Sequence, residues 1–254
     1  MKTIHFVGAG SGAADLITLR GKKYLEEADT IIYAGSLVNP QLLDYAKAGC
    51  SIYNSAKMTL EEVLEVMLRD VRADKQVVRL HTGDPCLYGA IREQMDVLDE
   101  EKIPYDYCPG VSSFCGAASA LNLEYTLPEI SQSVIITRMA GRTPVPEKES
   151  IESFAAHHAT MVVFLSTGLL EELSRRLIDG GYSADTPAAI VYKATWEDEK
   201  SFVCTVGTLA ETAKKNNITK TALMIIGDVI SCSNYDRSKL YDPGFTTEFR
   251  EASK

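Results

Sequence analysis

The chain has 254 residues, 45% of them hydrophobic, and its 35 acidic and 26 basic side chains give a net charge of −9. That apolar share excludes a disordered polymer. The acidic balance argues against non-specific nucleic-acid binding, which needs a basic field. No run of 18 apolar residues is present to span a membrane, and the first eight residues read as a strand entering a glycine turn, not as a signal peptide. The expectation is a cytoplasmic protein with no nucleic-acid or membrane partner. Cys50, Cys86, Cys108, Cys115, Cys204 and Cys232 form no C-x-x-C pair, so they read as reduced thiols, and no metal site is expected.

In the first half, strands are expected over 3–8, 30–34, 51–54, 76–81 and 105–108. Helices are expected over 17–27, 40–47, 60–72 and 89–101, with another after 111. Within 60–72, Leu60, Val63, Leu64, Met67, Leu68 and Val71 recur at helical spacing. Thr59 with Glu62 three residues later predicts a capping box. Such strand–helix alternation implies a mostly parallel sheet with helices on its faces. In the second half, strands are expected over 133–138, 160–166, 187–194, 201–206 and 222–229, and helices over 150–157, 169–179 and 208–215. Thr208 with Glu211 predicts a second capping box, and Gly180-Gly181 a helix stop. No helix fits between 187–194 and 201–206, so these pair as an antiparallel hairpin and the second sheet is mixed. The fold class is therefore α/β in two domains, 1–125 and 126–254.

Three strand ends run into polar glycine turns. Gly8-Ala9-Gly10-Ser11-Gly12-Ala13 matches the dinucleotide fingerprint G-x-G-x-x-[GA]. No acid stands at the end of the second strand to hold a ribose, however, and Asp15 would face a phosphate. The turn can thus hold a nicotinamide or flavin cofactor, be structural only, or approach another ligand. His81-Thr82-Gly83-Asp84-Pro85 is the second turn and Cys108-Pro109-Gly110-Val111-Ser112-Ser113 the third. In open parallel sheets ligands bind beyond the carboxyl ends of strands, so three such turns on one edge point to a site. His81 is either catalytic or a structural, hydrogen-bonded histidine. Arg138, Arg142 and Lys193 follow second-half strands, where solvated charges are the common case. No G-x-S-x-G elbow or metal constellation is present.

In order and spacing, Val7–Gly12, His81–Pro85 and Pro109–Ser113 resemble the tetrapyrrole methylases, and the resemblance covers nearly the whole chain. Thr137–Glu147, Val191–Trp196 and Arg237–Asp242 look like the branch that methylates C-11 of precorrin-4 or its cobalt form. The resemblance implies two α/β domains around a cofactor cleft, a homodimer, S-adenosylmethionine as methyl donor (S-adenosylhomocysteine as product) and an anionic tetrapyrrole substrate in cobalamin biosynthesis. Carried over residue by residue, cofactor contacts fall on Ser11, Thr82, Gly83, Asp84, Leu87, Ser112, Ser113, Leu165, Ala194 and Ala222. Arg138, Arg142 and Lys193 would pair with substrate carboxylates, for which arginine is suited by its fork. Tyr88 and His81 are the candidates for a base. The first turn departs from the family's Gly-Pro-Gly-Asp-Pro, lacking its acid and both prolines. Two alternatives stay open: a same-fold methyltransferase acting on another tetrapyrrole carbon or on the diphthine precursor, and a nicotinamide-dependent oxidoreductase using the Gly8–Ala13 turn.

Overall fold

A computed structural model of the chain describes residues 2–253, the side chain of Ser36 excepted. By contacts the chain divides into two compact units: residues 1–117 with 193–199, and residues 118–192 with 200–254.

The first unit is built on a five-stranded sheet of β1 (Ile4–Gly8), β2 (Thr30–Tyr33), β3 (Ser51–Asn54), β4 (Val77–His81) and β5 (Tyr105–Cys108). The strand order is β3-β2-β4-β1-β5, and every pairing is parallel. Strand alternation divides the core between the two faces. Val7, Ile31, Val78 and Leu80 pack against α1 (Leu19–Glu27), while Ile4, Phe6, Ile32 and Val77 pack against α2 (Leu60–Arg72) and α3 (Arg92–Glu100). Helix α2 is the element the sequence describes most fully. It buries Val63, Leu64, Val66, Met67 and Val71, and the Thr59–Glu62 capping box is present. Other boundaries are shorter than expected. Residues 40–47 do not form an α-helix; Pro40–Tyr45 is a 3₁₀ turn, started by Asn39, whose side chain accepts from the Gln41 amide. Helix α4 (Ser113–Leu121) follows β5.

The β1-to-β2 connection leaves one way along the sheet and the β4-to-β5 connection the other. The adjacent carboxyl ends of β1 and β4 therefore lie at a switch point, where open parallel sheets leave room for ligands.

The second unit has a mixed sheet of β6 (Val134–Arg138), β7 (Thr160–Phe164), β8 (Pro187–Tyr192), β9 (Lys200–Thr205) and β10 (Ala222–Ile226), in the order β6-β7-β10-β8-β9. Only β6 and β7 are parallel; β7–β10, β10–β8 and the β8–β9 hairpin are antiparallel. Helices α5 (Ile151–Ala155), α6 (Leu170–Asp179) and α7 (Leu209–Lys215) cover it, with Leu173, Leu177, Met161, Ile190, Leu209 and Met224 in the core. The capping box expected from Thr208 and Glu211 is instead made by Thr205 and Thr208, around the 3₁₀ turn Val206–Thr208 that precedes α7. The earlier start lets Thr208 serve as the last residue of that turn, so its hydroxyl points back to Thr205. Gly180 and Gly181 end α6 as expected, with φ +120 at Gly181.

Candidate active site

The three glycine turns meet at one edge of the first sheet. Gly10 and Gly83 exchange backbone hydrogen bonds of 3.2 and 3.0 Å, and the Ala9 amide donates to His81 O at 2.7 Å. A Cβ on Gly8 would stand 2.6 Å from Gly110 N and 2.7 Å from Gly83 O. Gly8 and Gly110 must therefore lack side chains for the backbones to touch, while Gly83 is favoured by its φ of +59. This contact brings Ser11, Thr82, Gly83, Asp84, Ser112 and Ser113 together, as the sequence led us to expect.

Asp84 is the tie between the second and third turns. Its Oδ1 accepts from the Cys86 amide at 2.9 Å and from the Tyr107 hydroxyl, and its Oδ2 accepts from the Gly110 amide at 2.8 Å. Burial alone would raise its pKa, but the donors Tyr107, Cys86 and Gly110 outweigh that, so the carboxyl is held below the usual carboxylate range and stays ionised. Tyr107 escaped the sequence reading because Tyr-Asp-Tyr in β5 reads simply as strand. Leu87 is half-buried just beyond Asp84. Tyr88 is 45% exposed and takes φ +57, so the turn carries it outward in a conformation that side chains rarely adopt.

His81 lies on the opposite footing. It is buried, packs 6.2 Å from the Phe6 ring, and its Nε2 has no hydrogen-bond partner. Burial, with the nearby charge of Arg79, pushes the imidazole down to about 3. Arg79 is itself buried, its guanidinium donating to Gln94 Oε1 and Ile32 O, both at 3.1 Å. His81 is thus a neutral ring walled into the core at the base of the second turn.

The first turn carries an unexpected load. Residues 193–199 are clamped onto it: Thr195 Oγ1 lies 3.0 Å from Ser11 Oγ and accepts from the Ala13 amide at 3.1 Å. A Cβ on Gly12 would collide with the Trp196 ring and stand 2.6 Å from Ala194 O. Asn39 Nδ2 donates to Gly12 O at 2.9 Å. The open face a pyrophosphate would need is filled. After Gly12 comes a 3₁₀ turn, Ala14–Leu16, and α1 begins only at Leu19. The helix that follows β1 does not begin at the glycines, as the dinucleotide motif requires, so the fingerprint matches in letters but not in geometry. Lys193, at φ +47, donates to Asp198 at 2.6 Å and lies 5.4 Å over the Trp196 ring.

In the second unit, Arg138, Leu165 and Ala222 gather at one end of the sheet. Arg138 pairs with Phe164, and the β7–β10 register, carried two steps beyond the Met224–Val163 pair, sets Leu165 opposite Ala222. Leu165 is exposed at φ +52; Ala222 is buried, with its amide and carbonyl both on Thr167 Oγ1. Arg138 directs its guanidinium to the carbonyls of Met139, Thr143 and Pro144 at 3.2, 3.2 and 2.7 Å. It organises the loop that carries the exposed Arg142. Among the described residues no cluster of three or more His, Cys, Asp or Glu side chains is placed to hold a metal ion, and no helix is long and apolar enough to cross a membrane.

Residues 3–210 match the family model of the tetrapyrrole (corrin/porphyrin) methylases. A cobalt-precorrin-4 C(11)-methyltransferase of Methanocaldococcus jannaschii is 51% identical over 253 residues, covering 100% of this chain and 98% of the relative. Its namesake from Priestia megaterium is 44% identical over 254 residues, at 99% and 98% coverage. A solved cobalamin biosynthetic enzyme, cobalt precorrin-4 methyltransferase, superposes with a TM-score of 0.89 at 43% identity, covering 91% of this chain and 96% of that one. A uroporphyrin-III C-methyltransferase from Thermus thermophilus, solved with S-adenosylhomocysteine, gives 0.75 at 27% identity, with 90% and 98% covered. With three converging glycine turns and a family match over most of its length, the chain belongs to the tetrapyrrole (corrin/porphyrin) methylases.

Proposed function

We propose that the protein is an S-adenosylmethionine-dependent C-methyltransferase that methylates C-11 of cobalt-precorrin-4 in cobalamin biosynthesis. The observation that carries the acceptor is the full-length likeness to relatives named for that reaction. Relatives named for the cobalt-free precorrin-4 are less similar, at 39% identity, which favours the cobalt form. We also propose a cytoplasmic homodimer, as the family resemblance implies.

The donor set suits a cationic methyl donor. The edge formed by Ser11, Thr82, Gly83, Asp84, Ser112 and Ser113 offers hydroxyls, backbone groups and one ionised carboxylate, and none of these side chains is basic. An ammonium or sulfonium is attracted to such an edge, and a pyrophosphate is repelled from it. When bound, S-adenosylmethionine supplies an electrophilic methyl group on a sulfonium. Thr82, Gly83, Asp84, Leu87, Ser112 and Ser113 would hold the donor, with Ser11 and Ala194 beside the first turn; Leu165 and Ala222 are further donor contacts that the family resemblance alone implies. Ser11 acts mainly as an anchor, because its hydroxyl is engaged with Thr195.

The chain's remaining task is positioning. Holding a nucleophilic ring carbon in line with a donor can contribute up to ~7–11 kcal/mol in favourable intramolecular cases. Arg142 and Lys193 would meet substrate carboxylates, and Arg138 would act through the 139–146 loop it organises. His81 is too buried to take a proton from a ligand, which leaves Tyr88 as the exposed candidate for accepting the ring proton. Calorimetric titration tests the donor. Saturable binding of S-adenosylhomocysteine, with none of NAD(H) or NADP(H), is expected; the reverse would overturn the methyltransferase reading and restore the oxidoreductase one.

A further inference from the structure

Asp84 receives three hydrogen bonds, and two come from backbone amides of the very turns it joins. The third comes from a side chain rooted elsewhere. Tyr107 stands in β5 opposite Phe6 and packs its ring against the core under α2 and α3, which includes Ile4, Phe6 and Leu98. From there its hydroxyl reaches Asp84 Oδ1. The ring is fixed by packing and the hydroxyl by a charge-assisted bond, the strong class of hydrogen bond. Around this strut the backbone has little freedom. A Cβ on Gly110 would collide with Gly83 O, Gly83 holds φ +59, where side chains are rarely found, and the Gly110 amide is taken by Asp84 Oδ2. Turning the Asp84 carboxylate would release the Cys86 and Gly110 amides together.

We propose that Tyr107 is a positioning residue for methyl-donor binding: its hydroxyl fixes the Asp84 carboxylate and thereby locks the 82–86 turn against the 109–112 turn. This rests on the proposed function, in which those two turns receive the donor. Tyr107 makes no claim on the ligand itself. Its effect passes through Asp84, so removing the hydroxyl should loosen donor binding and leave tetrapyrrole binding and chemistry largely intact.

Tyr107→Phe keeps the ring and its packing and removes only the strut's end. Tyr105→Phe is the control: on the same strand, its hydroxyl donates to Asp99 at 2.9 Å, in exposed surroundings. Each protein is titrated with S-adenosylhomocysteine and assayed with both substrates varied. For Tyr107→Phe we expect the Kd for S-adenosylhomocysteine and the KM for the methyl donor to rise about tenfold together, the size of effect expected for a lost hydrogen bond to a charged group. The tetrapyrrole KM and the kcat at saturating donor should stay within about threefold, and Tyr105→Phe should match the parent. In an Asp84→Ala background the Tyr107→Phe change should add nothing, since the two residues act as one unit. Unchanged donor affinity in Tyr107→Phe overturns the proposal. So do additive effects in the double variant, or a Tyr107→Phe protein that fails to fold, which would make the hydroxyl a stability element. Failure of the parent protein to bind S-adenosylhomocysteine at all would overturn the proposed function, and this inference with it.

Discussion

Thr195 Oγ1 and Ser11 Oγ, 184 positions apart in the chain, lie 3.0 Å from each other. Thr195 holds φ +67, a conformation that costs a β-branched residue roughly 1–3 kcal/mol. It persists because the same hydroxyl accepts from the Ala13 amide, while the Thr195 amide donates to Glu199 Oε2 at 2.5 Å. Thr195→Val keeps the shape and strands the Ala13 amide. An unsatisfied partner of this kind costs about 1–3 kcal/mol, so the variant's melting temperature should fall by several degrees. An unchanged midpoint would mean that the clamp contributes nothing to stability.

Gly12 gives an independent test of the same clamp. Gly12→Ala sets a methyl against Trp196 and Ala194 O. Overpacking of this kind typically costs about 1–3 kcal/mol. Trp196 is the chain's single tryptophan, so its fluorescence should report the displacement directly. An emission spectrum matching the parent's would show that the segment accommodates the methyl without moving.

The clamp also marks where sequence reasoning stopped. The sequence shows both sheets well: β-branched runs mark the strands, and the absence of a helix between 187–194 and 201–206 yields the hairpin. It also shows that Gly8, Gly83 and Gly110 share an edge, because strand ends and glycines are local features. It does not show that the hairpin's connection groups with the first unit and fills the face of Gly12, since no local pattern at Thr195 or Trp196 encodes a partner so distant in sequence. Tyr107 is illegible too, because Tyr-Asp-Tyr reads simply as strand and nothing local names Asp84 as its partner. The Thr208 cap is misleading in the sequence because Thr208-x-x-Glu211 fits the capping-box pattern, whereas the 3₁₀ turn before α7 turns the Thr208 hydroxyl back to Thr205.

His81 makes the stability of the fold depend on pH. Its folded pKa of about 3 lies below the ordinary histidine value of about 6.5. The unfolded chain therefore binds a proton that the folded chain refuses, and stability falls as pH drops from about 6.5 toward 3. Urea midpoints of the parent and of His81→Gln, measured between pH 7 and 4.5, should diverge. The parent should lose stability more steeply with acid. Parallel curves would mean that His81 titrates normally and is not walled in.

Asp70 governs the more acidic range. It is buried, which would raise its pKa, but bonds from Arg69 at 2.9 Å and Thr30 at 2.7 Å, with Lys75 nearby, lower it instead. A depressed carboxylate stabilises the fold above its unfolded pKa of about 3.9, and that stabilisation is lost as pH falls through the lower folded value. Asp70→Asn should be less stable than the parent at pH 7, and the gap should narrow below about pH 4. A gap that stays constant down to pH 2.5 would contradict this.

Arg138 distinguishes loop organisation from direct substrate contact. If its fork holds the carbonyls of Met139, Thr143 and Pro144, Arg138→Lys should raise the tetrapyrrole KM nearly as much as Arg138→Ala, because an ammonium lacks the fork that reaches all three acceptors. Donor KM should hardly move in either. A lysine variant close to the parent would show that charge alone matters and that Arg138 meets a carboxylate directly.

The central claim is the identity of the reaction, and one labelling experiment tests it most directly. The protein is incubated with cobalt-precorrin-4 and S-adenosylmethionine carrying a ¹³C methyl group, and the product is examined by carbon NMR. One label per macrocycle, attached at C-11, is the predicted result. Label at another ring carbon, or none in the macrocycle while S-adenosylhomocysteine still binds, would contradict it.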